Sequence, residues 1–400
     1  MNTQEFINIE NEFGAHNYHP LDVVVETAEG CWVTDVDGKK YLDCLAAYSA
    51  VNQGHCHPKL FKTFVQQATK VTLTSRAFRN DQLPRLYKKL HEMTGYDMTL
   101  PMNSGAEAVE TAIKLARRWA YDVKGVEENK AEIIVATGNF HGRTSTIVGF
   151  SDDPSSNKGF GPYCNSAFPF HEYGNAEDLR SKITPNTAAV LIEPIQGEGG
   201  IVIPPDGYLK AVAQICKDNN VLFICDEIQA GLGRSGKLFA HYYEEVRPDM
   251  VIIGKALSGG YYPVSAVLAN KEIMLVIKPG EHGSTFGGNP LGAAVAVKAL
   301  EVIEDEKLIE RSFEMGEYFM AKLRAIESPM IDFVRGRGLW IGFVMKTKAR
   351  PYCELLKQEG LLCKETHENI IRLAPPLVIS KEEIDWAVEK IEKVVKSLDK

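Results

Sequence analysis

The sequence predicts an α/β protein: a mainly parallel sheet covered by helices in the middle of the chain, with a smaller domain built from both ends. Three observations carry that prediction. From about residue 60 to about residue 300, short apolar runs alternate with helix-length amphipathic stretches, the pattern of parallel strands joined by crossover helices. The start of the chain reads instead as short strands around a tight turn. The last quarter returns to helices. The 400 residues are 44% hydrophobic and 24% charged, globular values that exclude disorder, collagen and coiled coil as whole-chain descriptions. A chain of this length holds about two to three domains by the usual size rule.

The elements follow in order. Residues 31–36 read as a strand, Asp37-Gly38 as a hairpin turn and residues 39–43 as the returning strand. Strands are expected at 132–136, 188–192, 221–225 and 250–253, and helices at 104–121, 207–218 and 289–304. Residues 335–338 (RGRG) lead into a strand-like run at 339–345. In the final helix, Ser380 and Glu383 form a capping-box pattern, and Ile384, Val388, Ile391, Val395 and Leu398 make an apolar stripe. The expected division is an N-terminal segment 1–48 belonging to the small domain, a large domain 49–298, and a C-terminal small domain 299–400.

Composition narrows the function classes. Forty-five Lys and Arg stand against fifty-three Asp and Glu, a net charge of -8. This argues against nucleic acid as a partner, although a local basic pocket survives the average. No apolar run reaches the roughly 18 residues of a membrane span. The polar, acidic start lacks the order of a signal peptide. Eight scattered cysteines without a C-x-x-C fit a reduced compartment. A cytoplasmic location is therefore expected.

Two tempting motifs are set aside. Gly231, Gly233, Gly236 and Lys237 fit two glycine fingerprints. A dinucleotide site needs a tight strand-to-helix turn and an acidic residue about twenty positions on, and neither is evident. A P-loop needs Ser or Thr where Leu238 stands. A glycine-rich surface or subunit-contact loop is the expectation here. His55, Cys56 and His57 resemble a metal cluster, but alternate residues of an extended loop point apart and no partner pair is near in sequence. A turn into a helix at Pro58 is expected, and no metal.

Three features do converge. Ser104 and Glu107 form a capping box, and Gly105 and Ala106 leave N–H groups uncovered at the positive end of a helix, where a phosphate binds. Asp226 directly follows the apolar run 221–225, at the strand end where ligands sit in open parallel sheets. Lys255 directly follows the apolar run 250–253 and a glycine. A desolvated lysine has a lowered pKa and acts as a nucleophilic amine. Each feature alone has an ordinary reading: a capped helix, a solvated turn, a snorkelling lysine. Together a lysine, a carboxylate and an anion-binding helix end suit pyridoxal 5'-phosphate. The lysine joins the aldehyde, and the acid keeps the ring nitrogen protonated so that the ring can absorb electrons.

On these residues and on longer runs, the chain resembles the class III aminotransferases, fold-type I pyridoxal-phosphate enzymes. The runs are 48–58 (YSAVNQGHCHP), 193–198 (EPIQGE), 226–229 (DEIQ), 254–260 (GKALSGG) and 283–290 (GSTFGGNP). Similarity extends from 14–20 (GAHNYHP) to 371–376 (IRLAPP), nearly the whole chain, and within the family it looks like the branch acting on L-ornithine.

The resemblance implies a large cofactor-binding domain with a mainly parallel seven-stranded sheet and a smaller α+β domain from both ends. It implies that Lys255 holds the cofactor and moves the proton, that Asp226 pairs with the ring nitrogen, and that Gln229 meets the ring hydroxyl. Phe140 stacks on the ring; Ser104, Gly105 and Ala106 hold the phosphate. Ser284 and Thr285 reach the cofactor of a second subunit, making a homodimer with shared sites. Tyr18, Tyr48 and Arg143 hold ornithine; Arg372 binds the α-carboxylate of glutamate or 2-oxoglutarate, and Glu198 pairs with Arg372 while ornithine is bound. Two positions depart from the ornithine branch. His141 stands where several relatives carry Trp and acetylornithine-type relatives carry His, and Ala106 replaces a common Val.

Overall fold

The computed structural model describes residues 1–399. Near the N-terminus β1 (Val25–Glu29), β2 (Trp32–Asp35) and β3 (Lys40–Asp43) form an antiparallel meander. Its turn is fixed by Asp35, whose Oδ1 accepts from the N–H groups of Asp37 at 3.1 Å and Lys39 at 2.8 Å. The Tyr41 hydroxyl donates to the other carboxylate oxygen.

The large sheet comprises β4 (Met98–Met102), β5 (Glu132–Ala136), β6 (Phe170–His171), β7 (Thr187–Ile192), β8 (Leu222–Asp226), β9 (Met250–Ile253) and β10 (Ser265–Ala269). Their spatial order is β4-β10-β9-β8-β7-β5-β6. The run from β9 to β6 is parallel throughout, and only β10 is antiparallel to its neighbours. A seven-stranded, mainly parallel sheet is thus what forms. Every residue of β7, β8, β9 and β10 is buried, because helices cover both faces. Val190, Ile192, Phe223 and Cys225 pack toward the Tyr208–Asp218 helix. Ala189, Leu191, Leu222 and Ile224 pack on the other side with the Gly105–Trp119 helix. Each such Ile, Leu or Val contributes about 1.5–3 kcal/mol on burial. The helix expected at 104–121 is α-helical to Trp119 and then widens into a π turn, Ala120–Lys124.

The last quarter adds β11 (Ile331–Gly336), β12 (Ile341–Met345), β13 (Leu361–Leu362), β14 (Lys364–Thr366) and β15 (Ile370–Leu373). Four of these make an antiparallel sheet in the order β11-β12-β15-β14. The fifth, β13, leaves it and pairs in parallel with β3, Leu361 opposite Leu42. The Lys381–Ser397 helix carries the expected capping box and seals this junction. Trp32 Nε1 donates to Glu383 at 2.7 Å, and the Trp32 and Trp386 rings meet edge to face. Both chain ends therefore share one structure.

The loop at 231–237 corrects an expectation. It is not a surface or subunit-contact loop: residues 230–236 are buried inside the chain. Arg234, fully buried, donates to the carbonyls of Leu339 and Pro375 and to Asn52 Oδ1 at 2.6–2.7 Å. Left-handed backbone at Gly233 and Gly236 lets the loop wrap this guanidinium. The partners lie far away in sequence, so the loop reads as surface when read locally. The histidine pair is drawn apart as expected: His55 Nε2 donates to Asp43 at 2.7 Å, while His57 faces Glu306 and the Pro58–Ala68 helix begins. Among the described residues, no group of three or more His, Cys, Asp or Glu side chains is placed to hold a metal. Among them too, no helix is long and apolar enough to cross a membrane.

Candidate active site

The carboxyl ends of the central strands open into a cavity of about 210 Å³. Such strand ends are where open α/β sheets bind ligands. Asp226 closes β8, Glu193 follows β7, and Lys255 follows β9 after Gly254. All three line the cavity, with Gly105, Ala106, Phe140, His141 and Gln229. The three elements singled out in the sequence therefore meet in one place.

Lys255 begins a single turn, Lys255–Ser258, with a left-handed backbone, φ +44°. That conformation is strained for a residue with a Cβ, and such strain collects at functional sites. Burial pushes its amine below the ordinary lysine range, against the opposing charges of Glu198 and Asp226. Asp226 is held on both oxygens. Oδ1 accepts from Ile228 N at 3.0 Å, and Oδ2 accepts from His141 Nδ1 at 2.7 Å. A carboxylate only accepts, so Nδ1 carries the proton. Burial acts to lower the His141 pKa, but the bond to Asp226 and its charge outweigh this and raise it.

One wall is the start of the Gly105–Trp119 helix. Ser104 Oγ accepts from Glu107 N, and Glu107 accepts from Ser104 N at 2.7 Å. This box ties down Ser104, which faces solvent, and the first-turn N–H groups beyond it have no partner in the helix ladder. Added bulk is excluded here: a Cβ on Gly105 would lie 3.0 Å from the Ile228 side chain.

Next to the cavity, joined to its lining through Gln229, lies a second group of side chains. Arg372, in the middle of β15 and 2% exposed, donates to Glu198 Oε1 at 2.9 Å and to the Gly197 carbonyl at 2.8 Å. Burial pushes Glu198 up, yet the Arg372 charge and hydrogen bond, with Lys255 and Arg143 behind them, bring its carboxyl below the ordinary range. Gln229 reaches the same Glu198 oxygen at 3.4 Å. The Tyr48 ring lies 5.4 Å from the guanidinium. Its backbone is unusual. Ala46, Ala47, Tyr48 and Ser49 are all left-handed, with φ between +47° and +73°. Asp43 holds this turn by accepting from the N–H groups of Leu45 and Ala46.

Some expected residues stand further out. Arg143 lies 5.4 Å from the Phe140 ring and touches Ser156. Tyr18 is 76% exposed and sits not in the central cavity but in an apolar depression beside it, which it shares with Tyr48. Ser284 accepts from Asn103 Nδ2 of its own chain at 2.8 Å, and Thr285 is exposed. Neither lines this chain's cavity.

Two residues were missed as site members. Glu193 enters the sequence reading only as part of a motif, although it follows the apolar run 188–192 just as Asp226 follows 221–225. His141 was read only as a marker of relatives, and nothing local announces its bond to Asp226, 85 residues away.

The donor set fits pyridoxal phosphate. Gln229 Oε1 is a buried acceptor with no partner among the described residues, which a ring hydroxyl would satisfy. The helix start suits the phosphate, Asp226 a protonated ring nitrogen and Lys255 the aldehyde.

Comparisons with known proteins agree. The family model "Aminotransferase class-III" matches residues 13–395. An ornithine aminotransferase of Brevibacillus brevis is 60% identical over 393 residues, 98% of either chain. The crystal structure of Toxoplasma gondii ornithine aminotransferase, which holds pyridoxal phosphate at partial occupancy in its active site, superposes with a TM-score of 0.97. It is 41% identical over 99% of this chain and 95% of that one. An acetylornithine aminotransferase from Elizabethkingia anophelis gives 0.90 at 49% identity over the full length of both chains. The chain belongs to the class-III aminotransferases.

Proposed function

We propose that this pyridoxal-phosphate enzyme moves the δ-amino group of L-ornithine to 2-oxoglutarate, giving glutamate-5-semialdehyde, which cyclises to pyrroline-5-carboxylate, and L-glutamate. The observation that carries this reading is the Glu198–Arg372 pair, 2.9 Å apart beside Lys255. One pocket must accept a substrate reacting through a terminal amine, and then one reacting through an amine beside a carboxylate. A glutamate that covers or releases an arginine meets both demands.

When bound, the cofactor supplies an aldehyde for the amine and a ring that stores an electron pair. The protein does the rest. Lys255, its amine held below the ordinary lysine range by burial, would supply the nucleophilic amine and could then hold and release a proton within the site. Asp226, aligned by His141 and Ile228 N, would hold positive charge at the ring nitrogen. Gly105 and Ala106 would hold the phosphate, Phe140 a ring face and Gln229 the ring hydroxyl. Tyr18, Tyr48 and Arg143 fix the α-amino and α-carboxylate groups of ornithine so that the δ-amine points inward. Arg372, uncovered by Glu198, takes the α-carboxylate of the second substrate.

A homodimer belongs to this reading, with Ser284 and Thr285 completing the partner's phosphate site; their exposed segment, which includes Phe286, is compatible with it. So does a cytoplasmic location, and so does a division at residues 48 and 298 into end segments and a cofactor-binding domain. A second reading is N-acetylornithine or another ω-amine such as 4-aminobutyrate. His141 and the Elizabethkingia relative favour it. The test is an amine panel with 2-oxoglutarate as acceptor, trapping pyrroline-5-carboxylate as a coloured adduct. Ornithine should be preferred; a strong preference for N-acetylornithine overturns the assignment.

A further inference from the structure

Glu193 joins the two halves of the site. Its carboxylate, 6% exposed, accepts from Phe140 N on one oxygen at 3.0 Å and from Gly197 N on the other at 3.1 Å. Phe140 belongs to the loop over the cofactor side. Gly197 precedes Glu198, and its carbonyl accepts from Arg372 at 2.8 Å. The Gly197 loop has no slack: a Cβ there would fall 1.9 Å from Gln229 Oε1. One buried carboxylate therefore fixes the backbone on which the Glu198–Arg372 pair is aligned.

We propose that Glu193 is a positioning residue for α-carboxylate recognition: by holding the Gly197 backbone it aims Arg372 at 2-oxoglutarate and glutamate. This rests on the reading of Arg372 as the α-carboxylate site. Both N–H bonds are strongest to the ionised form: a carboxamide sets a donor-only NH2 against one N–H, and a protonated carboxyl leaves one oxygen a much weaker acceptor. The charged and titratable groups around Glu193 are His141, Asp226, Lys255 and Tyr173. Burial, the main cause, pushes its carboxyl up to about 7, against His141 and the two N–H groups. The clamp is thus complete above that pH and loosens below it.

The test is single-turnover titration of each half-reaction in holoenzyme. Glu193→Gln should weaken 2-oxoglutarate binding about tenfold more than ornithine binding, the scale of one hydrogen bond to a charged group. In the wild type, 2-oxoglutarate binding should weaken as pH falls through about 7, and in Glu193→Gln that slope should vanish. Equal weakening of both substrates, no weakening, or a slope that survives the substitution overturns the proposal. If Glu193→Gln does not fold, Glu193→Asp, with the charge kept and the reach shortened, must show the same substrate split or the proposal fails. Arg372→Gln separates the two ideas. If it leaves 2-oxoglutarate binding intact, the underlying reading is wrong and the clamp fails with it; if it abolishes binding, a null result at Glu193 sinks the clamp alone.

Discussion

The floor and the far side of the site are built on opposite principles. The floor residues Asp226 and Lys255 stand at the carboxyl ends of buried parallel strands, and their placement is inherited from the sheet; Glu193, at the end of β7, links this floor to the Gly197 loop. The far side takes Arg372 from another sheet, Glu198 from a loop and Tyr48 from a strained turn, with Tyr18 of the exposed N-terminal segment in the depression beside it. Chemistry common to both half-reactions needs fixed atoms. Discrimination between two substrates needs a part that can rearrange, and a partly exposed glutamate on a loop can do so where a strand end cannot.

The sharpest test of that contrast removes the floor. Lys255→Ala should slow both half-reactions alike, by about 10⁴-fold or more, as loss of both nucleophile and proton carrier implies; stopped-flow measurement of each half-reaction reads this. Unequal losses would break the contrast. Asp226→Ala should also impair both, and it strands a buried imidazole. Removing one member of a buried pair costs about 3–5 kcal/mol, visible as a lowered unfolding midpoint. The His141–Asp226 bond has a pH signature. The raised His141 pKa means its stabilisation is full below about 6.5 and lost as pH rises through the raised value. The melting gap between wild type and His141→Gln should accordingly narrow on going alkaline.

On the far side, effects should be smaller and unequal. Glu198→Ala should shift the balance between half-reactions by about ten- to a hundredfold while cofactor absorbance stays the same. Equal rate losses at unchanged loading would count against the switch. The smallest effect is expected at the left-handed turn. That conformation costs an L-residue roughly 1–2 kcal/mol and glycine almost nothing. Ala47→Gly should therefore raise thermal stability slightly, by about 1 kcal/mol or less after the unfolded-state entropy of glycine is counted, and loosen Tyr48.

The same contrast explains what the sequence could reveal. Asp226 and Lys255 were legible because a charge at the end of an apolar run is a local signal. Glu193 carried that signal too and was passed over. The Glu198–Arg372 pair spans 174 residues and was reachable only through resemblance. β4 reads poorly as a strand because it contains Pro101, whereas β10 carries the same short apolar run as its sheet neighbours and was within reach of the same reading. The left-handed run at Ala46–Ser49 escaped because nothing in Ala-Ala-Tyr-Ser asks for it; tertiary contacts impose it.

The pairing of β13 with β3 has a consequence for the order of events in the cell. The N-terminal meander lacks its fourth strand until Leu361 has left the ribosome, roughly three hundred residues after Leu42. At about 5–20 residues per second that is a wait of tens of seconds. The large sheet has all its strands by Ala269 and can assemble meanwhile. The edge at β3 stays open for that whole interval, and its closure is a late step.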